Sequence, residues 1–70
     1  MHHTEISILF RTRREVLQVT QMHLAELSGV GLRTIKAIER GTTDPRLSTL
    51  NKLADVLGLS VKLDLKQLDT

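Results

Sequence analysis

Apolar residues along positions 5–58 return at helical spacing, and beyond them the spacing changes to strict alternation. In EISILFRTRREVL, residues 5–17, the side chains of Ile6, Leu9, Phe10, Arg13 and Leu17 fall on adjoining turns opposite a basic side, which predicts an amphipathic helix. Thr20 suits the N-cap of a second helix, QMHLAEL, which Gly29 ends after about two turns. A third helix runs through LRTIKAIER with Ile35 and Ile38 inward, and Gly41 stops it. GTTDP reads as a loop in which Asp44 caps a fourth helix and Pro45 takes its first position. That helix, RLSTLNKLADVL, carries Leu47, Leu50, Leu53, Ala54 and Leu57 on one face, and Gly58 closes it.

Leu59, Val61, Leu63 and Leu65 then alternate with Ser60, Lys62, Asp64 and Lys66. Period two predicts a β-strand over residues 59–66. A helical reading aligns Val61, Leu65 and Leu68 but leaves Leu59 and Leu63 on the other side. A lone strand has an unsatisfied edge, and no second strand is evident in the sequence; the same segment of a second copy, paired antiparallel about a two-fold axis, is the simplest completion. Burying Val61, Leu63 and Leu65 contributes roughly 1.5 to 3 kcal/mol each, whereas ordering the backbone costs about 1 to 2 kcal/mol per residue. Strand formation and dimerisation should therefore be coupled. The expected organisation is a flexible N-terminus at 1–4, a four-helix domain at 5–58, a dimerisation strand at 59–66 and a tail at 67–70.

Composition narrows the function. Seventy residues allow one domain, and the absence of cysteine removes disulfides and thiolate metal sites. His2 and His3 sit at the terminus and His23 stands alone, so no metal ligand set forms, and no Ser, Asp or His spacing joins a nucleophile to a base. Neither a cofactor nor an enzymatic activity is expected. A net charge of +2 permits an anionic partner, and with Phe10 as the one aromatic residue a base-stacking platform is excluded, which favours duplex over single-stranded nucleic acid. No apolar run approaches a membrane span and MHHTEIS lacks the order of a signal peptide, so a cytoplasmic protein without a membrane partner is expected.

The most informative window is TQMHLAELSGVGLRTIKAIERG, residues 20–41. Two short helices joined by a tight turn must cross closely: Ala25 is small at the crossing, Gly29 permits a left-handed turn, and Leu24, Val30, Ile35 and Ile38 fill the wedge. The window resembles the phage-repressor and Cro-type (Xre-like) helix-turn-helix family, whose consensus runs roughly TQxxLAxxxGVSxxTIxxxERG. Thr20, Gln21, Leu24, Ala25, Gly29, Val30, Thr34, Ile35, Glu39, Arg40 and Gly41 match it. Arg11 and Arg14 match its IRxxR element, and Pro45, Thr49, Leu50, Leu57 and Gly58 its PxxxTLxxxxxxLG. Two positions depart: Gln18 stands where the family has glycine, and Gly31 where it has serine.

The resemblance implies an all-α, four-helix lambda-repressor-like DNA-binding domain, here with a C-terminal β-strand pairing across a homodimer, that represses transcription from a palindromic double-stranded DNA operator. A recognition helix with its N-terminal residues in the major groove reads base edges through a few side chains. Those facing away from Ile35 and Ile38 are Leu32, Arg33, Lys36, Ala37 and Arg40. Base reading is assigned to Arg33, whose fork matches guanine, together with Leu32, Lys36 and Ala37, while Gly31 allows close approach. Phosphate contact is assigned to Gln21, Thr34, Arg40, Thr42, Thr43 and Arg46, with help from Lys36. Arg14 and Glu39 are implied to form an internal ion pair, and Val61, Leu63 and Leu65 to hold the dimer.

The ending LGLSVKLDLK also resembles the HipB-like antitoxin branch, which implies repression of a toxin-antitoxin operon and a HipA-like kinase toxin as partner. Two alternatives stay open: a stand-alone phage or metabolic regulator, and an interaction module that neutralises a partner without reading DNA.

Overall fold

The computed structural model describes residues 3–63, with side chains from residue 5 onward. Its helices are α1 (His3–Val16), α2 (Gln21–Ser28), α3 (Leu32–Arg40) and α4 (Leu47–Leu57), and no strand occurs among the described residues. α3 packs against α1 and α2, while α4 packs against α2 and α1. Such short helices owe their stability to this packing rather than to intrinsic propensity.

Each helix ends for a local reason. Thr20 is extended (φ −74°, ψ 161°) and its Oγ1 accepts from the His23 amide at 3.0 Å, which fixes the start of α2. Gly29, at φ 75°, ends it with its amide on the Ala25 carbonyl, a left-handed position that only glycine adopts without strain. α1 closes on a costlier residue: Gln18 holds φ 57°, and the Val19 amide reaches back to the Arg14 carbonyl at 3.0 Å. The departure at position 18 thus falls on a left-handed residue, a cost of roughly 1 to 2 kcal/mol.

Phe10, Leu24, Val30, Ile35, Ile38, Leu53 and Leu57 form the buried core, with Ile6, Val19, Ala25, Leu50, Val56 and Leu59 packed against it. The wedge residues of α2 and α3 therefore lie where their spacing places them. The amphipathic face of α1 is narrower than its pattern: Phe10 and Ser7 are buried, but Leu9 and Leu17 are exposed. Leu47, expected on the inner face of α4, is 58% exposed.

Three boundaries differ from expectation. α1 begins at His3 and ends at Val16 rather than spanning 5–17, a shift within ordinary end fraying. α4 is capped by Arg46, not Asp44: Arg46 is extended (φ −68°, ψ 151°), and the first turn closes where the Leu50 amide meets the Arg46 carbonyl at 3.0 Å. Pro45 consequently precedes the cap instead of occupying the first helical position. The Asp-Pro pair is a good local start signal, but the register of Leu50, Leu53 and Leu57 in the core decides where the helix begins.

The third difference is the C-terminal segment. Gly58 ends α4, and the Leu59 amide bonds the Ala54 carbonyl at 2.9 Å, closing a Schellman-type turn. Residues 60–63 then continue without strand pairing, with Val61 38% and Leu63 98% exposed. An extended segment gains ladder bonds only from an adjacent edge, and the described residues of the single chain offer none. Leu65 and the rest of the expected strand, 64–66, lie outside the described residues.

Candidate nucleic-acid interface

The turn between α2 and α3 is short because its polar groups are satisfied locally. The Val30 amide donates to Ser28 Oγ at 3.1 Å, and Gly31 caps α3 without a side-chain hydrogen bond. A Cβ at Gly31 would meet nothing within 4 Å, so the position where the family has serine faces open space. With Ile35 and Ile38 buried beneath it, α3 turns Arg33, Thr34, Lys36 and Arg40 outward, exposed, while Leu32 and Ala37 are half-buried. The polar outer face is thus centred on Arg33 and Lys36, and the expected apolar readers flank it.

Arg14 and Glu39 meet fork on fork: Arg14 Nε donates to Glu39 Oε2 at 2.8 Å and Arg14 Nη2 to Oε1 at 2.9 Å. Arg14 Nη1 also donates to the Val19 carbonyl at 3.0 Å, so one guanidinium joins α1, the α1–α2 turn and α3. Glu39 is buried, yet three donors satisfy it, the third being Gln21 Nε2 at 3.1 Å. The hydrogen bond to Glu39 raises the Arg14 pKa above its ordinary value; burial opposes this and the charge of Glu39 adds to it. Arg14 is therefore a fixed cation whose charge Glu39 cancels.

That network floors a shallow depression of about 380 Å³ between α1, α2 and α3, lined by Arg11, Arg14, Gln21, Lys36, Glu39 and Arg40. The structure brings together Gln21, Lys36 and Arg40 from the expected DNA-contacting set and adds Arg11 from α1. Of the Gln21 amide, one N–H is engaged by Glu39 and the other stays available to a ligand. Thr42 is differently placed: its hydroxyl donates to the Ala37 carbonyl at 3.2 Å and closes the end of α3, so its proton is already committed. Thr43 is half-buried and Arg46 exposed in the loop leading to α4.

On the other side of the molecule an apolar groove of about 650 Å³ runs between α1, α4 and the C-terminal segment. Ile6, Leu9, Phe10, Leu47, Leu50, Ala54, Leu59, Val61 and Leu63 line it. Val61 and Leu63, expected in dimerisation, thus belong to the same surface as Leu9 and Leu47, whose exposure their helical patterns did not anticipate.

Comparison with known proteins agrees with this architecture. Residues 11–63 match the helix-turn-helix family model. A Haemophilus influenzae protein named an uncharacterized HTH-type transcriptional regulator is 42% identical over 52 residues, covering 74% of this chain and 53% of that protein. A Methanothermobacter thermautotrophicus protein of the same name is 42% identical over 50 residues, covering 71% of this chain and 72% of its own length. The chain thus spans about half the length of the Haemophilus relative. With its capped α2–turn–α3 unit and the family match over residues 11–63, the chain belongs to the helix-turn-helix family.

Proposed function

We propose that the chain is a transcriptional repressor that binds double-stranded DNA through α3, as a homodimer on a palindromic operator. The observation that carries this reading is the division of α3: Ile35, Ile38 and Glu39 are buried and fix the helix, while Arg33, Thr34, Lys36 and Arg40 stand exposed on the other face. A helix so held lays its polar residues along a major groove. The relatives' names as transcriptional regulators support the same reading.

In this reading Arg33 reads a guanine, a contact worth about 1 to 3 kcal/mol of discrimination. The test is selection of bound duplexes from a random pool, followed by Arg33→Ala. The selected site should be palindromic with half-sites about one helical turn apart, and the variant should lose preference at particular base positions while staying folded. Unchanged preference in the variant would refute base reading by Arg33.

The more specific proposal is an antitoxin that represses its own operon and binds a HipA-like kinase toxin. It rests on the alternating ending of residues 59–66 and on the apolar groove that its described part, Leu59 to Leu63, lines. Co-purification of a kinase-like protein separates this from a stand-alone regulator.

A further inference from the structure

We infer that the two-fold axis of the homodimer passes beside Leu63, so that Lys62 of each copy faces the partner's Asp64 and Val61 faces the partner's Leu65. The inference rests on the homodimer reading and adds to it which residues meet across the axis.

Leu9 on α1 and Leu47 on α4 stand exposed along the apolar groove, and the chain beyond α4 returns beside them with Val61 and Leu63. Lys62 is the one charged residue in that lining, and among the described residues no hydrogen bond or ion pair holds its ammonium. An apolar rim with one unpaired cation is complementary to a strand that alternates apolar residues with a carboxylate. The ending of the chain is such a strand: Val61, Leu63 and Leu65 alternate with Lys62 and Asp64. A second copy is therefore the occupant that both charge and apolar pattern select. Asp64 and Leu65 lie outside the described residues and enter by their place in the sequence alone.

In an antiparallel pair about a two-fold axis, a residue a given number of positions before the axis faces the residue as many positions after it, and facing side chains share one side of the sheet. An axis between two residues would thus set apolar against polar along the whole segment. Lys62 on the axis would face itself; Asp64 on the axis would face itself and set Lys62 against Lys66. Like charges directly opposed destabilise a strand pair. Val61 on the axis requires Leu59 to pair, yet Leu59 packs against the core and its amide is bonded to the Ala54 carbonyl at 2.9 Å. Leu65 on the axis sets Leu63 against Gln67 and Lys62 against Leu68. Leu63 on the axis leaves none of these conflicts. It meets its own copy, Val61 meets Leu65 twice, and the Lys62–Asp64 pair of opposite charges also forms twice.

The chain has no cysteine, so one introduced thiol reports which residues face one another. Facing Cα atoms of an antiparallel pair are about 4.5 to 5.5 Å apart, within disulfide reach. With Leu63 on the axis, the two copies of Val61 are offset by four strand positions, about 13 Å. Full chains carrying Val61→Cys, Leu63→Cys or Leu65→Cys are equilibrated in a glutathione buffer, at a concentration where the reduced variants sediment as dimers, and run on non-reducing gels. Leu63→Cys should link to itself. Val61→Cys and Leu65→Cys should each link poorly to themselves and readily to one another when mixed. In sedimentation, Lys62→Asp and Asp64→Lys should each raise the dimer dissociation constant about three- to tenfold, and the two together in one chain should restore it.

A dimeric wild type in which Val61→Cys or Leu65→Cys links to itself in preference to Leu63→Cys overturns this axis and leaves the homodimer standing. So does a double charge exchange no better than the single ones. A wild-type chain that sediments as a monomer at every concentration overturns the homodimer reading and the axis together.

Discussion

Arg13 Nε donates to the Leu57 carbonyl at 2.7 Å, so the guanidinium of one helix caps the C-terminus of another forty-four residues away. The bond places a cation at the negative end of α4, where the last carbonyls lack helical partners. It also explains why Gly58 follows: at φ 71° it turns the chain away, and a Cβ there would lie 3.1 Å from Arg13 Nη2.

Arg13→Ala is therefore expected to lower stability by about 1.5 to 3 kcal/mol, the range of hydrogen bonds to charged groups. Gly58→Ala should cost more than Gly29→Ala, since both residues have positive φ but a Cβ at Gly29 meets nothing within 4 Å. Urea denaturation of the three variants checks the order. Equal losses at the two glycines would show that Arg13 yields freely and that the 3.1 Å approach is inconsequential.

Gln18 offers the opposite opportunity. Its φ of 57° is strained for a side-chain-bearing residue, and glycine removes that strain while adding freedom to the unfolded chain. The two effects oppose each other, with strain the larger, so Gln18→Gly should stabilise by about 0.5 to 1 kcal/mol. A rise in the urea midpoint at unchanged slope is the expected result, and a fall would show that Gln18 contributes contacts beyond the turn it closes.

What the sequence made legible follows the reach of each signal. Thr20 opens α2, and Gly29 and Gly41 end α2 and α3, where expected because their caps are local: a hydroxyl on an amide three residues on, or a left-handed glycine. The inner faces of α2 and α3 followed for the same reason. Arg46 replaced Asp44 as the cap of α4 because core packing, not the Asp-Pro signal, sets that register. Arg13 was legible only as a member of a helical face, since its partner is a backbone carbonyl that carries no side-chain signature. Arg11 joined the candidate site for a related reason: α1 reaches α3 only through the tertiary fold.

The Arg14–Glu39 pair makes a sharper demand. Glu39 is buried and accepts from Arg14 and Gln21, so Arg14→Ala leaves a buried carboxylate with only the Gln21 amide among these donors. The expected loss is about 3 to 5 kcal/mol, against a total stability on the order of 5 to 15 kcal/mol for small domains. Arg14→Met combined with Glu39→Leu should recover part of the loss, because an apolar pair asks for no charge compensation. Thermal unfolding of the single and double variants measures this; a double variant less stable than either single one would show that the network does more than satisfy its own charges.

The last prediction concerns the apolar groove. Leu9, Leu47, Val61 and Leu63 expose apolar surface around a single cleft. A second copy laid across this cleft would bury the four together and supply the edge that the C-terminal segment lacks. Replacing Val61 and Leu63 together by aspartate places two charges where that interface would form, at little cost to a monomer in which both are exposed. Sedimentation should then give a folded monomer whose thermal transition lies below that of the dimer and no longer depends on protein concentration, and binding to a palindromic duplex should weaken while binding to a single half-site persists. A double variant that still sediments as a dimer would place the subunit contact elsewhere on the chain.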